Sequence, residues 1–182
     1  MYDYTIEQAD IDLLKDQGMS LKDLEHSVRV AEKALEIGRR MHTPLDMKLV
    51  GRGALFHDLG KIVTHGILHG MAGAEKGAKL GLPREINAIM EKHIRGGLTR
   101  DEAVELGLPV KDYTLHLLEE RVVIYADRLV DIIHEGIVVL EGEIEAETRF
   151  KQILKDHIQY GKNEITTQRY YGYHDEIQAL MM

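Results

Sequence analysis

A hydrophobic repeat of three to four residues runs along most of this 182-residue chain and constrains its fold more than any other feature. The segment after Ser20 is typical, with apolar residues at helical spacing that comprise Leu21, Leu24, Val28, Ala31 and Leu35. Only short stretches alternate as a β-strand does. Gly-Leu-Pro tripeptides at 81–83 and 107–109 are expected to end helices. The pattern predicts an all-α fold, a single compact helical domain of roughly eight or nine helices.

Length and charge limit the class of protein. We expect one domain over residues 1–182, with a core over about 20–140 and a C-terminal helical extension over about 141–182. The sequence carries 23 basic and 31 acidic residues, which gives a net charge of −8, and it has no basic run. We therefore expect neither a nucleic-acid groove nor a membrane contact, since both need clustered Lys and Arg.

The N-terminus lacks a basic and apolar leader, and no apolar run approaches bilayer-spanning length. A cytoplasmic protein is therefore the expectation. The chain has no cysteine, which excludes disulfides and thiolate chemistry. The oligomeric state stays open, and a homo-oligomer is one alternative.

The adjacent residues His57 and Asp58 lie in an apolar stretch and offer an imidazole and a carboxylate, both of which bind divalent metals. Chance supplies about 0.7 such pairs in a chain with this many His and Asp, so the dipeptide alone means little. A second pair, His174 and Asp175, has polar surroundings, and we interpret it as the chance event.

Two further polar residues lie on helical faces that are otherwise apolar. Asp127 shares a row with Val123 and Val130, and His26 lies beside the apolar stripe of its own helix. A buried carboxylate is costly unless it is paired or bound to a cation. Each residue alone can be an ordinary hydrogen-bonded core residue, but together with the His-Asp pair they favour a metal site.

The arrangement resembles the metal-binding signature of the HD-domain superfamily of metal-dependent phosphohydrolases. The sequence HDLGK at 57–61 is similar to the HDIG form of that signature, with Leu in the usual place of Ile. The resemblance covers about residues 21–136 and is greatest to small stand-alone HD hydrolases. It implies an HD-type helical domain. It also implies one divalent ion (Mn, Fe, Ni, Co, Zn or Mg) held by His26, His57, Asp58 and Asp127.

Two later histidines match the places where two-metal members of the superfamily add ligands. These are His69, at the start of a small-residue helix, and His93, on an apolar row. The resemblance leaves two alternatives open. Either they hold a second ion that Asp58 bridges, or they contact the substrate phosphate directly.

The resemblance implies an enzyme, a phosphomonoesterase or phosphodiesterase that acts on a small nucleotide-like substrate through a metal-activated water. Asp58 or Asp127 would orient that water or accept its proton, and Lys61 would stabilise the phosphoryl charge. Arg95 and Arg128 are further candidates for substrate phosphate contacts, or else ordinary surface cations.

The alternative is a degenerate HD module that binds a nucleotide or a partner without hydrolysis. The retained ligand set argues against it. The chain lacks a Gly-Tyr-Pro tripeptide, which disfavours the cyclic-di-GMP phosphodiesterase branch of the superfamily. A Tyr-rich segment near the end, with Tyr170, Tyr171 and Tyr173, has no role that the sequence defines.

Overall fold

The computed structural model describes residues 3–182, and every regular element within this range is helical. The elements are eleven α-helices and two 3₁₀ turns: α1 (Gln8–Asp16), α2 (Leu21–Arg40), α3 (Met47–Phe56), the turn η1 (Leu59–Ile62), α4 (His69–Lys79), α5 (Arg84–Lys92), the turn η2 (Ile94–Gly96), α6 (Arg100–Glu105), α7 (Leu118–His134), α8 (Glu143–Thr148), α9 (Phe150–Asp156), α10 (Ile158–Gly161) and α11 (Glu164–Met181). The all-α prediction is confirmed. None of the helices in this range is long and apolar enough to cross a membrane.

The helix count exceeds the expected eight or nine because the last forty residues contain more elements than the pattern indicates. The region 143–160 divides into α8, α9 and α10, since Arg149 and His157 leave helical geometry. The Tyr-rich segment forms α11, an 18-residue helix. Its N-cap is Asn163, whose side chain accepts a hydrogen bond from the backbone N–H of Thr166 at 2.8 Å.

Local sequence sets the helix starts that matter for the site. α2 begins after Ser20, whose hydroxyl accepts a hydrogen bond from the backbone N–H of Asp23 at 3.1 Å. α6 begins with a capping box, in which the side chains of Thr99 and Glu102 each accept a hydrogen bond from the other residue's backbone N–H. These caps are local in sequence and fix where both helices begin.

The third helix ends earlier than its apolar pattern predicts. The pattern continues to about Lys61, but α3 stops at Phe56 and the backbone turns at Asp58, where φ is −99° and ψ is 13°. The turn lays Gly60 against α4, so closely that a Cβ on Gly60 would lie 1.8 Å from the carbonyl oxygen of His69. The bend therefore brings the start of α4 next to Asp58.

One apolar core joins most of the chain. α2, α3 and α7 pack against one another at its centre, and α4 and α5 pack on the η1 side. The C-terminal helices share this core, because Phe150 of α9 and Tyr170 of α11 are fully buried with Tyr125 of α7. The predicted extension thus packs on the motif-bearing helices.

We expect Gly60→Ala to destabilise the protein by about 1–3 kcal/mol, since the added methyl group would overlap the backbone of α4. The measurement is the free energy of unfolding by urea denaturation. Gly172→Ala is the matched control, because Gly172 is a helical residue of α11 with nothing within 4 Å of its virtual Cβ. It should be neutral or stabilising by up to about 1 kcal/mol. Equal stability of the two variants would contradict the close packing of η1 on α4.

Candidate metal centre

Six side chains from five segments converge at one end of the helical core. His26 comes from the middle of α2, His57 and Asp58 follow α3, His69 opens α4, His93 follows α5, and Asp127 comes from α7. The sequence predicts four of these residues as ligands of one ion, and it leaves His69 and His93 as ligands of a second ion or as contacts of the substrate phosphate. The fold brings all six together. His57, Asp58 and His93 are buried, and the other three are partly exposed toward a cleft.

The first group of ligand atoms surrounds one oxygen of Asp58. Oδ2 of Asp58 lies 3.3 Å from Nε2 of His57 and 3.7 Å from Nε2 of His26. Oδ1 of Asp127 lies 2.9 Å from the same nitrogen of His26 and 3.5 Å from that of His57. His26, His57 and Asp58 lie close enough together to hold one divalent ion. Asp127 adjoins both histidines and offers a fourth, carboxylate ligand.

The second group surrounds the other oxygen of Asp58. Oδ1 lies 3.3 Å from Nε2 of His69 and 3.4 Å from Nε2 of His93. The two imidazole nitrogens are only 2.8 Å apart. Two ring nitrogens at that distance need a proton or a cation between them, because two lone pairs would repel each other.

Backbone carbonyls orient three of the imidazoles. Nδ1 of His57 donates to the carbonyl of Ala54 at 2.6 Å, and Nδ1 of His93 donates to the carbonyl of Met90 at 2.6 Å. Nδ1 of His69 donates to the carbonyl of Gly66 at 2.8 Å. Each neutral ring therefore keeps its proton on Nδ1 and turns the lone pair of Nε2 toward Asp58.

The electrostatics of the pocket fit a bound cation. Burial alone would lower the pKa of His57, but the carboxylates of Asp58 and Asp127 raise it well above its usual value. Burial would raise the pKa of Asp58, yet His57, His69 and His93 hold it well below its usual value. Nε2 of His57 is buried without a hydrogen-bond partner among the described residues. Such an orphaned atom between two carboxylates suits a metal ligand.

Lys61 lies against the same carboxylate. Its Nζ is 2.5 Å from Oδ2 of Asp58, the oxygen that faces His26 and His57. Lys61 is partly exposed, whereas Asp58 is buried. An ion bound at Oδ2 would compete with the ammonium and turn it toward the cleft.

Asp131 is a neighbour that the sequence analysis did not identify. It lies one turn after Asp127 on α7, and its Oδ1 is 3.9 Å from Nδ1 of His26. Burial and the nearby charge of Asp127 raise the pKa of Asp131 to about 7. The spacing of four residues on one helix was the available signal, since it puts two carboxylates on the same face.

The centre forms the floor of a cleft of about 380 Å³. The predicted residues Lys61, Arg95 and Arg128 all line it. Arg128 is 8% exposed, and it bonds Asp131 at 3.0 Å and the hydroxyl of Tyr170 at 3.2 Å. Lys162, from the turn between α10 and α11, also lines the cleft and was not identified from the sequence.

The second His-Asp pair lies elsewhere. The ring of His174 stacks on Phe150 at 5.2 Å between centroids, and its Nδ1 is 2.9 Å from the hydroxyl of Tyr125. Asp175 bonds Lys151 at 2.6 Å on the surface. The pair does not belong to the metal groups, as its polar sequence context suggested.

We expect His57→Ala to weaken divalent-metal binding by at least about tenfold, because it removes a buried ligand whose Nε2 has no other partner. Titration of chelator-treated protein with Mn²⁺ or Zn²⁺ by calorimetry measures the change. His174→Ala is the control. It removes a partly buried imidazole that belongs to neither group of metal ligands, so it should leave the metal affinity unaltered. The same affinity in His57→Ala as in the unaltered chain would exclude His57 as a ligand.

The chain is similar in sequence to several known proteins. Residues 23–132 match the family described as the HD domain. An uncharacterised protein of Methanocaldococcus jannaschii is 37% identical over 161 residues, which cover 87% of this chain and 89% of that protein. A tRNA (cytidine(56)-2′-O)-methyltransferase of Picrophilus torridus is 42% identical over 107 residues, which cover 58% of this chain and 31% of that protein. The match thus spans about a third of the methyltransferase.

A solved structure shares the fold. It is the HD domain of the L. monocytogenes phosphodiesterase PgpH in complex with cyclic-di-AMP, with a TM-score of 0.59 at 20% identity. The match covers 92% of this chain and 94% of that one. At this identity the likeness concerns the fold alone. The family match spans more than half of the chain and includes His26, His57, Asp58 and Asp127. The chain therefore belongs to the HD-domain family.

Proposed function

We propose that the protein is a metal-dependent phosphohydrolase, a phosphomonoesterase or phosphodiesterase that acts on a small nucleotide-like substrate. The observation that carries the proposal is the position of Asp58. Each of its two oxygens faces a separate pair of histidines, His26 with His57 and His69 with His93. A carboxylate shared in this way is suited to bridge two divalent ions.

The two ligand groups support two ions rather than one. His26, His57 and Asp127 with Oδ2 of Asp58 would hold the first, and His69 and His93 with Oδ1 would hold the second. The imidazoles that surround Asp58 provide nitrogen ligands, which suit Mn, Fe, Co, Ni or Zn better than Mg.

Bound ions would polarise a phosphoryl oxygen and lower the pKa of a water molecule. The chain's own residues complete the chemistry. Asp127 would accept the proton of the attacking water, since its side chain lines the cleft and is partly exposed there. Lys61, released from Asp58, donates hydrogen bonds to the phosphoryl oxygens as their charge grows.

The cleft supports a small, charged substrate. Its volume of about 380 Å³ falls within the range of small-molecule sites. Three cations line it together with the carboxylates, namely Lys61, Arg95 and Arg128. The cyclic-di-AMP in the PgpH HD domain is a nucleotide, which agrees with a nucleotide-like substrate here. Methyl transfer gains no comparable support, because the match covers only 31% of the methyltransferase.

The test is metal content together with turnover of a nucleotide panel and a generic phosphodiester in Mn²⁺, Co²⁺, Ni²⁺, Fe²⁺ and Zn²⁺. We expect Asp58→Ala to abolish turnover and to remove both ions, and His93→Ala to reduce the metal content from two ions to one. Metal analysis of the purified variants measures the content. No metal and no turnover under any condition would contradict the proposal.

The alternative of a nucleotide-binding module without hydrolysis gives a different result. In that case Asp58→Ala would lose metal and keep its affinity for nucleotides, and the unaltered chain would show no turnover. Calorimetric titration with nucleotides distinguishes the two outcomes.

We expect Lys61→Ala to separate metal binding from catalysis. The variant should bind metal at least as tightly as the unaltered chain, because the ammonium no longer competes for Oδ2 of Asp58. Its kcat should fall by about 10²-fold, since a donor to the developing phosphoryl charge is lost. Lys79→Ala is the control, an exposed lysine at the end of α4 that is outside the cleft. Weaker metal binding in Lys61→Ala would show that Lys61 supports the ligands instead.

A further inference from the structure

Two cleft residues share an unusual backbone conformation. Arg95 and Lys162 are the non-glycine residues with positive φ in the described part of the chain, at 50° and 67°. Both are cations, and both line the cleft above the metal centre. Such conformations cost stability, and they cluster at active sites and ligand-binding positions.

Lys162 occupies the more strained of the two positions. Its φ of 67° and ψ of −57° make it the central residue of a γ-turn, which the backbone N–H of Asn163 closes by donating to the carbonyl of Gly161 at 2.9 Å. This form of γ-turn is rare and strained. The flanking residues keep it in place, since Asn163 caps α11 and Gly161 is buried against Thr167. The strained turn carries the ammonium to the cleft wall.

Arg95 is held by the same helix. The guanidinium of Arg169 on α11 donates to the carbonyl of Arg95 at 3.1 Å and also bonds Glu102 at 2.5 Å. The hydroxyl of Tyr173 donates to the next carbonyl, that of Gly96, at 2.7 Å. α11 thus fixes the backbone of η2 and with it the position from which Arg95 reaches the cleft.

The charges of these two residues are not neutralised by carboxylates. Lys61 pairs with Asp58 and Arg128 pairs with Asp131. The side chains of Arg95 and Lys162, in contrast, form no ion pair and no hydrogen bond with any residue in the range 3–182. Partial desolvation and the positive charges of Arg128 and Arg95 lower the pKa of Lys162, although Asp131 acts against this. Like charges held together in one cleft favour an anion between them.

We propose that Arg95 and Lys162 form an anion subsite that binds a phosphate group of the substrate other than the one that is cleaved. This inference rests on the proposed function in one respect, the position of the phosphate that is cleaved. The scissile phosphate belongs beside Asp58, where Lys61 and the histidines lie. Arg95 and Lys162 lie in the part of the cleft that holds Arg128 and Tyr170, since Arg128 acts on the charge of Lys162 and Gly96, next to Arg95, lies against the ring of Tyr170. The substrate class is therefore a compound with at least two phosphates, and the C-terminal extension contributes to its recognition.

The first experiment needs neither metal nor turnover. The full-length chain is titrated with inorganic pyrophosphate in the presence of EDTA, and the affinity is measured by calorimetry. We expect Arg95→Gln and Lys162→Gln each to weaken binding by at least about tenfold, since each removes a charge-assisted donor. Lys155→Gln is the matched control, an exposed lysine of α9 in the same extension that lies outside the cleft. It should bind pyrophosphate as the unaltered chain does.

A second variant distinguishes loss of the anion subsite from loss of the fold. Lys162→Gly removes the ammonium and also relieves the positive φ, because glycine adopts that conformation without strain. We expect its melting temperature to equal or exceed that of the unaltered chain while pyrophosphate affinity falls as in Lys162→Gln. Unchanged affinity in Lys162→Gly and Arg95→Gln would overturn the proposal and leave the turn as a structural junction.

Steady-state kinetics then test whether the subsite binds a second phosphate of the substrate. With Mn²⁺ bound, we expect Lys162→Gln to lower kcat/KM at least about tenfold more for a nucleoside diphosphate than for the matching monophosphate. An equal effect on both substrates would place the pair at the cleaved phosphate and overturn the assignment. Pyrophosphate binding that depends on Arg95 and Lys162, without turnover in any metal, would support the subsite and contradict the proposed hydrolysis.

Discussion

The buried carboxylate of Asp58 is the constraint on which the rest of this structure depends. A charged group that is 2% exposed would be strongly destabilising without compensation. Here three buried or half-buried imidazoles and the ammonium of Lys61 lie within 3.4 Å of its oxygens. The elements that supply these groups must therefore meet at Asp58. The packing of α3, α4 and α5 is constrained by the requirement to neutralise this one carboxylate.

Glycine residues allow η1 and α4 to approach closely enough for these groups to reach Asp58. The bend after α3 lets the backbone of Gly60 touch that of His69, and Gly73 lies against the same turn. A side chain at Gly60 would push α4 away and separate His69 from Asp58. The ligand geometry is therefore a consequence of backbone contact between η1 and α4, not only of the identity of the ligands.

The C-terminal helices have a part in the site that their sequence does not suggest. Tyr170 contacts Arg128 through its hydroxyl and its ring, with the guanidinium carbon 5.0 Å from the ring centroid. Arg169 and Tyr173 fix the backbone of η2. A segment that lies outside the HD-family match thus supports one wall of the cleft.

The sequence by itself determined the helical class, the caps of α2 and α6, and the inward side of His26 and Asp127, because helical periodicity and capping are local properties. The HDLGK sequence also identified the pair from which the site is built. Only the tertiary structure decided that Asp58 turns one oxygen to each histidine group and that Asp131 and Lys162 join the cleft. Those facts depend on how distant helices pack and on a strained turn, and no local pattern encodes the distance between residues such as Arg95 and Lys162.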